Sequence, residues 1–333
     1  MNDHNSPESL RRRHVLLSLA SLVGVGASSR AWSQVSGGKP IRLVVPFTPG
    51  GSTDLIARVI GAKLSQSLGR TVVVDNKPGA GGSIGAAEVA RASPDGDTLL
   101  MGHIGTLAVN VSLYAKLPYD PVKSFTPVAW VARVPNVLVV NPASGIGSLK
   151  ELIDRAKAKP GLLTYASGGN GSAAHIAFEA LKLRTQSSLT HVPYRGTAPA
   201  VQDVIAGQVD AIFTGTPAVL PHLKSGRLQS LAVSSLSRVP LLPQVPTVAE
   251  NGFPGFEADQ WYGIVAPAGT PAATVARLNA AINAVLTLPD VAQKFAEEGA
   301  EPVRMEPQAF AALITREIPR WRLVVRAGNM TAN

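Results

Sequence analysis

The chain has 333 residues, 45% of them hydrophobic, 16% charged and 5% aromatic, with a formal net charge of +9 and no cysteine. That length exceeds one typical core, so two domains are expected. So few aromatics argue against a stacking platform for bases or sugars, and a chain without Cys has no thiol catalysis, thiolate metal site or disulfide.

Residues 1–34 read as an export signal rather than as part of the fold. Arg11, Arg12 and Arg13 precede an apolar run over 15–25 and a small-residue zone over 27–33, with cleavage expected near Ser33 or Gln34. Arg12 and Arg13, followed by His14, Val15 and Leu16, fit a twin-arginine pattern as well as a Sec signal. The run is too short to span a membrane comfortably, and no other stretch reaches that length, so an exported protein without stable membrane insertion is expected. The leader's four arginines and two acids carry +2, which leaves +7 on the mature chain. Those basic residues are scattered, without the stripe that nucleic acid requires, and give a mild field attractive to anionic metabolites.

Residues 41–45 are apolar, rich in β-branched side chains and bounded by Pro40 and Pro46, which predicts a strand buried on both faces. Pro49, Gly50 and Gly51 cannot continue it. Apolar residues at helical spacing predict a helix over 55–64, capped by Ser52, Thr53 or Asp54. A glycine turn that opens a helix offers free N–H groups and the positive end of the dipole to an anion. Taken alone, the stretch is more simply an ordinary strand-to-helix connection. A strand over 71–75, a helix over 84–92, a turn at 94–97 and a strand over 98–101 follow, the alternation of an α/β fold with a parallel sheet. Gly79 to Gly85 is one residue off the dinucleotide fingerprint, follows the second strand and lacks the acidic partner, so it reads as a structural turn. Residues 102–106, with His103 and Thr106, stand at the carboxyl end of the third strand, where ligands of open α/β sheets bind.

Two extended runs, 126–133 and 136–140, are split only by Pro135, which predicts a crossing between domains. A second α/β series then begins: helix 148–159, strand 162–166 and a glycine turn formed by Ser167, Gly168, Gly169, Asn170, Gly171 and Ser172. Helix 173–183, strand 189–192 and a turn at 193–197 holding Tyr194, Arg195 and Gly196 come next. Helix 198–206, strand 209–213, helix 216–225 and strand 228–233 complete the series. Residues 260–266 recross as a strand, and helices over 271–287, 290–298 and 307–325 close the chain. The fold class expected is α/β: two lobes, each a mainly parallel sheet flanked by helices, joined by two crossover strands. The expected boundaries are 1–34 for the signal, 35–134 with 251–333 for the first lobe, and 135–250 for the second. Facing helix N-termini across the cleft suit a small carboxylate, and hinge closure would trap it.

Ser172 is a good N-cap, and His175 lies three residues into its helix, where packing is the simpler role. Asp54 and Asp210 could form a carboxylate pair; Asp54 reads more simply as a helix N-terminal residue and Asp210 as a partner of nearby backbone N–H groups. There is no H-E-x-x-H and no paired-His spacing, so no cofactor or metal is expected.

The ordered set of stretches 39–54, 73–85, 93–99, 167–172, 191–200, 245–250 and 261–271 resembles the tripartite tricarboxylate transporter receptor family, also called the Bug family of solute-binding proteins. The resemblance implies a periplasmic receptor of the Venus-flytrap kind whose ligand is a small organic acid, with two membrane subunits as transport partners. It implies that the loops at 47–54 (Phe47, Gly50, Gly51, Ser52, Thr53, Asp54) and 167–172 grip the carboxylate and that 102–106 contributes a third loop. His103 stands where relatives often carry a small or hydroxyl residue. Two other readings are an exported hydrolase or lyase using Ser52 or His175, and a ligand-sensing partner of a membrane regulator. Because the two anchor loops hold no Lys or Arg, backbone donors rather than a salt bridge are expected to carry the main carboxylate contact.

Overall fold

The computed structural model describes residues 38–332, so the expected signal peptide and its expected cleavage site lie outside the described residues. From Lys39 onward the chain forms one compact unit built on two sheets. Strand β1 (Ile41–Val45) leads into helix α1 (Ser52–Leu68), then β2 (Val72–Asn76), α2 (Ser83–Ala90) and β3 (Thr98–His103). A π-helical turn over Gly105–Val109 runs into the short α3 (Asn110–Leu113), and neither is visible in the hydrophobic pattern. The chain then crosses. Strand β4 (Phe125–Val134) lies in the first sheet and β5 (Asn136–Val140) in the second, with Pro135 alone between them.

The second sheet is built by β5, α4 (Leu149–Ala158), β6 (Thr164–Ser167), α5 (Ala173–Thr185), β7 (Thr190–Pro193), α6 (Thr197–Ile205), β8 (Ala211–Gly215), α7 (Thr216–Lys224) and β9 (Gln229–Val233). The chain recrosses through β10 (Gln260–Pro267) and ends with α8 (Ala272–Val285), α9 (Pro289–Glu297), the two-residue strand β11 (Glu301–Pro302) and α10 (Pro307–Ala327). The strand orders are β11-β4-β10-β3-β1-β2 and β7-β6-β8-β5-β9.

The sheets are mixed, which refines the expectation of mainly parallel ones. Strands joined through helices run parallel: β1 with β2 and β3, and β6 with β7 and β8. The crossing strands run antiparallel to their neighbours. A chain that leaves one sheet and later returns must traverse the boundary in opposite senses, so β4 and β10 pair head to tail. All eight residues of β10 are buried, as a central strand covered on both faces requires.

Helix α10 touches more than one layer. Phe310 sits so close to β10 that a Cβ on Gly263 would lie 2.1 Å from its ring, while at the other end Gly328 approaches Glu179 of α5. Phe310 and Trp321 are buried in a cluster shared with Leu138, Phe178 and Phe213 of the second half. This helix therefore couples the two sheets, beyond the role of a terminal cover.

Candidate functional site

The first loop, between β1 and α1, is held in shape by side chains pointing back from the helix. Asp54 is almost fully buried; it accepts from the Gly50 N–H and from Asn76 Nδ2, both at 2.9 Å, and pairs with Arg58 at 2.9 Å. Asn76 also donates to the Phe47 carbonyl at 3.1 Å. Burial alone would raise the Asp54 pKa, but the bonds from Arg58, Gly50 and Asn76 outweigh it and hold the carboxyl below the usual range. The expected cap is corrected here. The N-cap is Gly51, with no side-chain cap bond, and Asp54 is spent on the loop behind it. Gly50 has φ +86°, and Gly50 and Gly51 are exposed, with open space where a Cβ would stand. Helix α1 thus presents an uncapped positive end to an open surface.

The second loop follows β3. Thr106 Oγ1 bonds both the N–H and the carbonyl of His103, each at 3.0 Å, and His103 Nδ1 accepts from the Gly105 N–H at 2.9 Å. The His103 ring lies between Phe47 and Tyr262, with ring centres 5.3 Å away in both cases. Burial lowers its pKa to about 4, only partly opposed by Gln260, so the ring is neutral near pH 7. Tyr262, whose hydroxyl lies near Thr53 and Ser52, donates to Gln260 Oε1 at 2.7 Å. Gln260 Nε2 donates to Asn136 Oδ1 at 2.6 Å. One polar chain thus runs from the first two loops to the opening residue of the second sheet. Tyr262, Gln260 and Asn136 were not singled out in the sequence. The signal that could have found them is a polar residue at each crossing, where apolar strand would otherwise continue.

The third loop, Ser167 to Ser172, is built differently. Ser172 caps α5, its Oγ accepting from the His175 N–H at 3.4 Å, as expected. His175 Nδ1 accepts from the Gly171 N–H at 3.1 Å. Ser167 Oγ is 2.6 Å from His191 Nε2. His175 stacks on His191 with ring centres 3.9 Å apart, and Tyr165 and Phe178 extend the pile. Burial first, then the charges of His191 and Lys182, lowers His175 to about 3; burial and Lys182 lower His191 to about 4. Gly168 packs on Thr197 and Gly196 at the start of α6, and Gly169, at φ +117°, lies against the Tyr194 carbonyl. Tyr194 donates to Asp203 at 2.6 Å, and Asn170 is half-buried within the loop.

Loops from the two sheets meet. A Cβ on Gly105 would lie 3.5 Å from the Gly171 carbonyl, and Gly171 backs onto Leu113 and Asn110 of α3. The structure gathers Phe47, Gly50 to Thr53, His103 and Thr106 on one side of this boundary. Ser167 to Ser172, His175, Tyr194 and Gly196 stand on the other. It separates Asp210. That carboxylate accepts from the N–H and hydroxyl of Thr164 at 2.7 and 2.8 Å, joining the starts of β6 and β8, whereas Ser167 ends β6. Asp54 and Asp210 therefore form no pair, and Asp210 lies at the far end of the second sheet.

Two mixed α/β sheets joined by crossing strands, with glycine loops meeting at their boundary, define the two-lobed class of periplasmic binding protein. A family model described as "Tripartite tricarboxylate transporter family receptor" matches residues 56–330, and the chain belongs to that family. Among curated relatives, Protein BugT of Bordetella pertussis is 44% identical over 289 residues, 86% of this chain and 89% of its own. A Rhodopseudomonas palustris protein solved with adipate is 39% identical, with a TM-score of 0.81 over 88% of this chain and 98% of its own. MatC from the same organism, solved with malate, is 37% identical, with a TM-score of 0.78 over 86% and 98%. Among the described residues no helix is long and apolar enough to cross a membrane.

Proposed function

We propose that this chain is an exported receptor that captures a small organic carboxylate between its lobes and delivers it to the two membrane subunits of a tripartite tricarboxylate-type transporter. The carrying observation is the α1 N-terminus. It is uncapped, exposed and glycine-lined, and the Asp54 carboxylate is already held by Gly50, Asn76 and Arg58. An incoming carboxylate would meet backbone donors without a rival anion. The relatives solved with adipate and malate make diacids of that length the first ligands to try.

The loops Phe47 to Thr53 and Ser167 to Ser172 are the grips of this reading, with His103 and Thr106 shaping the floor as neutral groups. Arg195 is exposed and, among the described residues, has no ion pair or hydrogen bond, which fits a solvated charge better than an anchor. The enzyme reading has less support. Ser52 lies by Tyr262 on the first sheet, and His175 is buried on the second with its Nδ1 already accepting, so they form no nucleophile–base pair.

The test is calorimetric titration and thermal shift of the mature, ligand-stripped protein against a panel of di- and tricarboxylates. A ligand at about 100 times its dissociation constant should add roughly 2.7 kcal/mol of stability. No shift with any acid at millimolar concentration would sink the proposal. Recovery of a chemically altered acid after long incubation would favour the enzyme reading instead.

A further inference from the structure

Both connections between the sheets converge on one buried carboxylate. Asn136, the first residue after the outward crossing, donates its N–H to Ser234 Oγ at 2.8 Å. Ser234 Oγ in turn donates to Asp259 Oδ1, just before the return strand β10. The same three segments are stitched by Ser234 N–H to the Asn136 carbonyl at 2.9 Å, Ala258 N–H to the Ser234 carbonyl at 3.1 Å and Asn136 Nδ2 to the Ala258 carbonyl at 2.7 Å. Any hinge motion between the sheets must work through these segments.

The other oxygen of Asp259 is unsatisfied. Oδ2 is buried and has no hydrogen-bond partner among the described residues. Its nearest cation, Arg133 Nε, is 3.6 Å away. Arg133 is already committed, donating to Glu301 at 2.5 and 3.2 Å and lying 3.5 Å from Glu257. Asp259 also lines a cavity of about 220 Å³ with Arg316, Glu317 and Arg320 of α10 and with Trp130 and Trp261. Around Asp259, then, Arg133 comes from β4, Glu301 from β11, Glu257 from its own segment, and Arg316, Glu317 and Arg320 from α10. Glu317 and Arg320 pair with each other, and one guanidinium, Arg133, serves three carboxylates.

We propose that Asp259 is a proton-operated latch on the hinge: neutral, it is tolerated at the buried junction of the two crossings, and on ionisation the charge on its unpartnered Oδ2 destabilises that junction. A neutral carboxyl tolerates the buried position, whereas an ionised one leaves a charge without adequate partners until the hinge opens to water. Burial, countered only in part by Ser234 and Arg133, raises the group to about 7, so the switch falls near neutrality. Acid then favours the conformation described here, and rising pH favours a looser one. This extends to hinge mechanics and needs no assumption about the ligand.

The test uses the full mature chain without ligand. Carboxyl carbon NMR follows Asp259 directly, and hydrogen exchange follows the amides of Asn136, Ser234 and Ala258, with Leu43 and Val44 of β1 as internal references. Between about pH 6 and about pH 8, protection of the three hinge amides, corrected for intrinsic rates, should fall roughly tenfold while the β1 amides hold. In Asp259→Asn the fall should vanish. Titration of Asp259 below about pH 5, in the ordinary carboxylate range, would overturn the latch. So would unchanged protection in the wild type, or the same fall in the variant. If Asp259→Asn does not fold, the two wild-type measurements decide alone. A chain that binds no carboxylate would still pass or fail this test, so the two proposals fail separately.

Discussion

The loops at 47–54 and 167–175 begin alike, as a strand, a glycine turn and a helix, yet the structure finishes them in opposite ways. The first helix end is bare, and its shape comes from behind, through Asp54, Asn76 and Arg58. The second is capped by Ser172, backed by His175 and His191, and pressed against α3 of the other half. The same local motif thus leaves a free dipole in one place and a rigid wall in the other. The difference lies in where the neighbouring polar side chains spend their hydrogen bonds.

Substituting the glycines should break this comparison most sharply. Gly51→Val meets open space at an ordinary extended φ of −85°, so denaturant unfolding should change by under about 0.5 kcal/mol. Under the proposed function the same change should weaken binding of the best diacid about a hundredfold or more in calorimetry, a loss of roughly 2.7 kcal/mol. Gly169→Val should do the reverse in stability, costing about 1–3 kcal/mol, because φ +117° strains any L side chain. Equal stability losses in the two variants would refute the contrast.

Next in size is Asp54→Ala, which strips the first loop of three bonds and should cost about 2 kcal/mol in urea unfolding at pH 7. Since the folded Asp54 carboxyl is held below its unfolded value, its stabilisation is present above about pH 4 and fades as pH falls through the folded value. His175 and His191, behind the 167–175 loop, act in a higher window. Their folded pKa values, about 3 and about 4, lie below the unfolded value, so the unfolded chain takes up more protons and stability falls as pH drops below about 6.5. Hydrogen exchange at about pH 5 should therefore show the 167–175 loop losing protection before the 47–54 loop. The opposite order would mean that the stacked histidines are not held neutral.

The smaller effects sharpen the picture. Ser172→Ala should cost about 1 kcal/mol, the ordinary price of an N-cap. A matching substitution, Ser52→Ala, should cost less, because Ser52 is not the cap. Arg195→Ala should shift stability by under about 0.5 kcal/mol and acid affinity by less than tenfold. A larger loss of affinity would replace the backbone cradle with an ion pair.

The sequence by itself determined the order of the longer strands and helices, the two crossings and the glycine turns, because each rests on local chemistry: apolar period, proline and glycine punctuation, and a good cap such as Ser172. It also carried the family, through an ordered set of motifs. Only the tertiary structure decided that Gly51, and not Ser52, Thr53 or Asp54, is the N-cap of α1, and that Asp210 sits at the far end of its sheet. It likewise decided that His175 stacks on His191 and that Tyr262, Gln260 and Asn136 tie the loops to the crossing. Those facts depend on which strands become neighbours and on the direction each one runs. A polar side chain satisfies whichever buried partner the sheet order brings within about 3 Å, and that partner lies 22 residues from Asp54 in Asn76, 46 from Asp210 in Thr164 and 124 from Asn136 in Gln260.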